Sequence, residues 1–99
     1  MITHVVLIQP KVSTTNEQLT AFLQRVRTLQ EVIPGILSIS VGENRSDFHG
    51  VFTHGIIMRF VDEAHLRAHH TNPAHVAIVT ELDHLCRQSI DFDLPETAQ

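Results

Sequence analysis

Histidine is the residue type whose number and placement suggest chemistry here: the chain holds eight, with no tyrosine or tryptophan. Imidazole changes charge near neutral pH, so it can serve as a general base, a hydrogen-bonding group or a metal ligand. His75 stands out by position. It follows Asn72-Pro73-Ala74 near the start of a helical pattern and heads that pattern's apolar stripe, where packing would favour an aliphatic side chain. Free backbone N–H groups and the positive end of the helix dipole disfavour an imidazolium there. A neutral ring could take a proton or hold a substrate carbonyl through its N–H. The plainer alternative is a packed ring that donates to a backbone carbonyl.

The other histidines divide by spacing. His4 and His54 fall in two strand-like segments that should be neighbours, with the register between them open. Each has a structural or interface role as its alternative. His65 and His69 are four apart on a helical pattern, the spacing zinc sites exploit. Yet Leu66, and not a glutamate, follows the first, and no cysteine is near in sequence. His70 and His75 add donors without an evident tetrahedron, so a solvated histidine-rich helix is the expectation and neither a metal nor a cofactor is assigned. His49 and His84 form no pattern. Cys86 continues the apolar stripe of the last helix and reads as a small packed hydrophobe. Arg59 reads as a partner for Asp91 or Asp93 near a sheet edge.

The elements that must position these residues are legible from periodicity. Ile2 to Gln9 is a short β-branched strand. Leu19, Phe22, Leu23, Val26, Leu29 and Ile33 keep helical spacing, Thr14 with Glu17 fits a capping box, and Pro34-Gly35 ends the helix. Ile36 to Val41 alternates as a second strand, with Leu37, Ile39 and Val41 on one face. A polar loop, Gly42 to Gly50, leads to a third strand from about Val51 to Phe60. Asp62 caps a short helix to about His70, and Asn72-Pro73 restarts the chain as a second helix, since asparagine caps well and proline suits the first helical position. Ile90, Phe92 and Leu94 alternate with Ser89, Asp91 and Asp93 as a fourth strand.

This order, βαββαβ, predicts an α+β, ferredoxin-like subunit: a four-stranded antiparallel sheet with its helices on one face. Residues 1–94 form one domain and 95–99 a frayed tail. The first three strands carry apolar residues on both sides, and a monomer rarely leaves such a patch in water. A symmetric homodimer joined through its sheet faces is the expected remedy.

Bulk properties narrow the function. A net charge of −4 and scattered basic residues argue against a nucleic-acid surface. The single cysteine permits no intrachain disulfide. No stretch reaches the ~20 apolar residues of a membrane span, and Val5 to Ile8 lacks the basic flank of a signal peptide. A cytoplasmic protein with no membrane partner is expected.

Four segments taken together carry a resemblance: Met1-Ile2-Thr3-His4-Val5-Val6-Leu7, Ile33-Pro34-Gly35-Ile36, Thr53-His54 with a strand ending Arg59-Phe60, and Pro73-Ala74-His75-Val76. In that order the chain resembles the stress-responsive A/B barrel (Dabb) domain family from Met1 to about Phe92. The resemblance implies a dimeric α+β barrel. It also implies one of two functional types, stress-associated proteins without assigned chemistry or plant polyketide cyclases. In the cyclases a histidine of the Pro-Ala-His-Val segment pairs with a tyrosine on the preceding helix, with further histidines on the first and third strands. These positions correspond to His75, His4 and His54. The tyrosine position falls on His69, and a second tyrosine position falls near Val26. Asn72-Pro73 stands where most members have His-Pro.

Two functions follow as expectations. One is a small dimeric stress-responsive protein with an apolar ligand pocket between sheet and helices, lined by Val6, Ile8, Leu23, Val26, Ile56, Met58, Val79 and Leu82. The other is a cofactor-free enzyme for aldol-type cyclisation or another proton transfer on a small carbonyl compound. In it His75 is the base, His69 replaces the tyrosine, and His4 and His54 orient the substrate.

Overall fold

The computed structural model describes residues 1–96. Its elements run β1 (Ile2–Pro10), α1 (Asn16–Arg27), the single turn α2 (Leu29–Val32), β2 (Ile36–Glu43), β3 (His54–Phe60), α3 (Glu63–His69), α4 (Pro73–Leu85) and β4 (Cys86–Pro95). The strands form one sheet in the order β2-β3-β1-β4, with all neighbours antiparallel. This is the ferredoxin-like arrangement, with the helices covering one face.

The helical stripe of α1 and α2 packs as its spacing dictates: Leu19, Phe22, Leu23, Val26, Leu29 and Ile33 are all buried. They meet Ile2, Ile8, Ile56, Met58 and Phe60 from the inner face of the sheet. Full burial of side chains of this size stabilises by about 1.5–3 kcal/mol each, which makes this layer the main support of the fold. The cap of α1 sits one residue later than the sequence suggests. Thr15 Oγ1 accepts from Gln18 N at 3.1 Å, and Gln18 Oε1 accepts from Thr15 N at 2.8 Å. Thr14 instead donates its hydroxyl to Leu85 O at 2.6 Å, and Lys11 N donates to the same carbonyl at 2.9 Å. Two donors thus satisfy a carbonyl that the end of α4 would otherwise leave unpaired.

Period-two alternation decides the two sheet faces, with two interruptions, one in β2 and one where Pro10 pairs with Cys86 and leaves Arg87 as an extra residue of β4. The register of β2 shifts between Ile36 and Ser38, so Leu37 is an extra residue and turns outward. Ile36 thereby joins Ile39 and Val41 over the core, where uninterrupted alternation would have placed Leu37. On β4 the apolar residues Ile90, Phe92 and Leu94 face away from the helices, opposite Leu7, Val5 and Thr3. Ser89, Asp91 and Asp93 take the inner face, opposite Ile8, Val6 and His4. Arg59 therefore cannot reach either aspartate. It pairs with Glu96 at 3.0 Å on the other side of the sheet.

Boundaries differ from expectation in several places: the first helical pattern breaks at Thr28, β2 runs on to Glu43, and β3 starts at His54 and not near Val51. Cys86 is the buried first residue of β4 and not part of the last helix. Pro95 is still in the strand, and Glu96 is held by its backbone N–H to Met1 O at 2.8 Å, so the ordered domain runs beyond residue 94. The remaining tail residues, 97–99, lie outside the described residues. Among the described residues no helix is long and apolar enough to cross a membrane.

Candidate functional site

Strand alternation places His4 on the inner face of β1 between Ile2 and Val6, and the register sets Asp93 directly across from it on β4. His4 Nδ1 lies 2.5 Å from Asp93 Oδ1, with the histidine buried and the aspartate only partly covered. An ionised carboxylate only accepts, so Nδ1 carries the proton and Nε2 is the free ring nitrogen. A carboxylate in this position fixes tautomer and orientation together.

Three further rings gather beside His4 because of the break between α3 and α4. His69 ends α3, His70 caps it, and Asn72 starts α4 by accepting from Ala74 N at 2.9 Å through Oδ1. The tight turn folds His75 back against His69, with ring centroids 4.3 Å apart. His70 lies 4.4 Å from His69, and His4 lies 5.4 Å from it on the sheet side.

His69 is almost wholly buried, and its Nδ1–H donates to Leu66 O. Its Nε2 is buried without a hydrogen-bond partner among the described residues. Burial lowers this histidine to about 4, against the raising effect of the Leu66 carbonyl, and the rings of His75, His70 and His4 push the same way as burial. The half-buried His75 is also held below its ordinary value, chiefly by burial, with Nδ1 3.3 Å from His70 O. The ring therefore has the packed, carbonyl-bonded character of the plain reading and yet faces open space.

That space is a cavity of about 220 Å³ between α1, α4 and the sheet. Val6, Val26, Ile56, Met58, Val79 and Leu82 line it as the sequence suggests, whereas Ile8 and Leu23 are sealed in the core. Its polar wall is His4, His70, His75, Asp83, Ser89 and Asp91. No residue of α4 is fully buried: Ala74, Ile78, Leu82 and Leu85 pack against the core only in part, and the cavity lies beneath the helix. Arg25 of α1 clamps it from the side through both oxygens of Glu81, with Nε 3.0 Å from Oε1.

His54 does not join this site. It pairs across from Ile8 while His4 pairs with Met58, four residues along the ladder or about 13 Å away. There it meets Thr53 Oγ1 at 2.8 Å beside a separate polar hollow near Asn16 and Glu43. Burial holds it below its ordinary value, partly offset by Glu43. His65 does not face His69 as a ligand pair either. It is bound to its own cap, Asp62 Oδ1, at 2.7 Å. Sequence reasoning missed Asp93 and underrated His70. The alternation of β4 was a usable signal for Asp93, but nothing local showed which side of that strand faces inward.

Comparison with known proteins places the chain in a family. The model for the stress responsive A/B barrel domain matches residues 2–95. Among curated proteins, none is significantly similar in sequence. Among solved structures, a protein of Arabidopsis thaliana superposes with a TM-score of 0.91 at 20% identity, covering 100% of this chain and 98% of its own. A dimeric ferredoxin-like protein of unknown function from Jannaschia sp. gives 0.84 at 22%, covering 95% and 97%. A hydroxynitrile lyase from Passiflora edulis gives 0.87 at 18%, covering 99% and 96%. At these identities the likeness is one of fold.

Proposed function

Since the chain belongs to the stress responsive A/B barrel domain family, we propose that it acts as a homodimer whose cavity carries out proton transfer on a small, largely apolar carbonyl or hydroxyl compound. The observation that carries this reading is His4 at the wall of the cavity with Asp93 bound behind it. His4 Nε2 takes a proton from substrate, and Asp93 stabilises the imidazolium that forms. This moves the base from His75 to His4, because among the histidines that line the cavity only His4 has a carboxylate behind it.

The other roles follow from burial and chemistry. His75, with Nδ1 turned to the His70 carbonyl, offers Nε2 as an acceptor to a substrate hydroxyl. The Ser89 hydroxyl donates to a substrate carbonyl. His69 has no exposed ring nitrogen in the cavity and holds the neighbouring rings in place. Asp83 and Asp91, with no lysine or arginine among the lining residues, favour a neutral compound over a carboxylate. The hydroxynitrile lyase among the structural neighbours supports an enzymatic role in general. Dimeric neighbours and the exposed apolar residues of β3 and β4 support the homodimer.

Solvent exchange tests the reading. In D₂O, the protein should speed deuteration next to the carbonyl of an aryl ketone such as acetophenone, followed by NMR. His4→Ala and Asp93→Asn should each slow it by about 10²-fold or more. Exchange at the same rate in both variants would defeat the proposal. The aliphatic lining favours a second reading, ligand binding without chemistry, which binding of the ketone with no catalysed exchange would select.

A further inference from the structure

We propose that His69, His70 and His75 form a binding site for a divalent transition-metal ion of the zinc type, at the wall of the cavity. One ring nitrogen from each residue lies within 4.8 Å of the other two. A zinc–imidazole bond is about 2.0–2.1 Å, so ligand nitrogens around one ion sit roughly 3.4 Å apart. His70, the exposed member, is free to make the remaining approach.

The hydrogen bonds of the two less exposed rings point to the same conclusion. His69 gives its Nδ1–H to Leu66 O, and His75 turns Nδ1 to His70 O. Both rings are thereby left with Nε2 as the nitrogen that carries the lone pair. A metal-binding histidine typically has this outer bond to a backbone carbonyl, which sets its tautomer and its aim. His69 Nε2 is moreover a buried acceptor with nothing to accept from among the described residues. Such a group is costly to bury unsatisfied, and an ion among the three rings removes that cost. His65 was the obvious partner for His69 by spacing, but its ring is engaged by Asp62.

Three neutral imidazoles make a borderline-soft donor set suited to zinc, cobalt or nickel and poorly suited to magnesium or calcium. Three protein ligands also leave a coordination position open. Because His70 and His75 line the cavity, a bound compound could reach that position. The site does not need the proton-transfer reading, though an ion would take the His75 Nε2 that this reading gives to a substrate hydroxyl; its test reads the metal and not turnover.

Chelator-treated, full-length protein is titrated with Co²⁺ at neutral pH, followed by visible ligand-field absorption, and with Zn²⁺ in competition. The expected result is one equivalent per chain, an intense visible band, and displacement of cobalt by zinc. His70→Asn and His75→Asn should each weaken binding by about tenfold or more, while His49→Asn leaves it unchanged. His70 is exposed, so its variant should fold as the parent does, and circular dichroism checks this. No band, or equal affinity in the His70 and His75 variants, overturns the site and leaves the three rings as packing partners only.

Discussion

At the scale of single residues, burial decides which histidines can work and which are held neutral. His69 sits at about 4 in the folded chain against 6.5 for an ordinary histidine, with His4, His70 and His75 all facing it. An unfolded chain binds a proton as pH falls through 6.5, and the folded chain does not until about 4. Stability from this group is therefore complete above pH 6.5 and is lost as pH falls towards 4, by roughly 1.4 kcal/mol per pH unit. His54 and His75, also lowered by burial, act in the same direction. Urea midpoints of metal-free protein between pH 7 and pH 4 should show this slope, and His69→Phe should reduce it. An equal slope in that variant would assign the effect to other groups. His75 was legible as a pocket residue because Asn72-Pro73 fixes where its helix begins. His4 was legible as a candidate but its partner was not, since the partner lies 89 positions away. His70 was visible only as a possible extra donor, because a helix-capping position follows no apolar period that would tell which way it turns.

At the scale of elements, the turn before β2 governs how α3 is seated. Gly35 has φ +89°, and a Cβ there would come within 2.5 Å of the Cβ of His65. That atom is next to the backbone of α3, so it cannot swing aside. Gly35→Ala should cost about 1–3 kcal/mol or more, combining left-handed strain with a shift of α3. Chemical denaturation would measure this, and a loss under about 0.5 kcal/mol would show that α3 moves freely. The strand and helix order was readable because each element changes the period of its apolar residues. Details that depend on tertiary contacts were not. Thr14 and Thr15 are both competent caps, and only the approach of Leu85 O decides that Thr14 is used elsewhere. The outward turn of Leu37 is likewise set by the inner-face core, which rewards Ile36 over strict alternation.

At the scale of the whole molecule, the sheet presents one covered face and one bare one. On the bare face Ile57, Ile90, Phe92 and Leu94 are 43%, 48%, 50% and 55% exposed, around Val5 and Leu7. A second copy packed face to face would remove this row from water, at a sheet spacing near 10 Å. Phe92→Glu should therefore shift the protein from dimer to monomer in sedimentation velocity runs at micromolar concentration. An unchanged sedimentation coefficient would place the interface elsewhere. The two-sided apolar pattern that announced this face was visible in the sequence, but it could not say that β4 keeps its aspartates inside. From Ser89 to Leu94 that strand alternates strictly: Phe92 belongs to the outer face, and its neighbours Asp91 and Asp93 to the inner one. Its parity binds two inheritances together. A single residue inserted between Ser89 and Ile90, where the pairing with β1 is regular, and not taken up as a bulge, would send Asp91 and Asp93 out to the bare face and the apolar side chains into the cavity. The apolar bare face and the polar wall of the cavity would be lost in one mutational event, whereas the 44–53 loop lies outside the sheet. Descendants of this chain can drift at most positions of β4, but they cannot lose count along it.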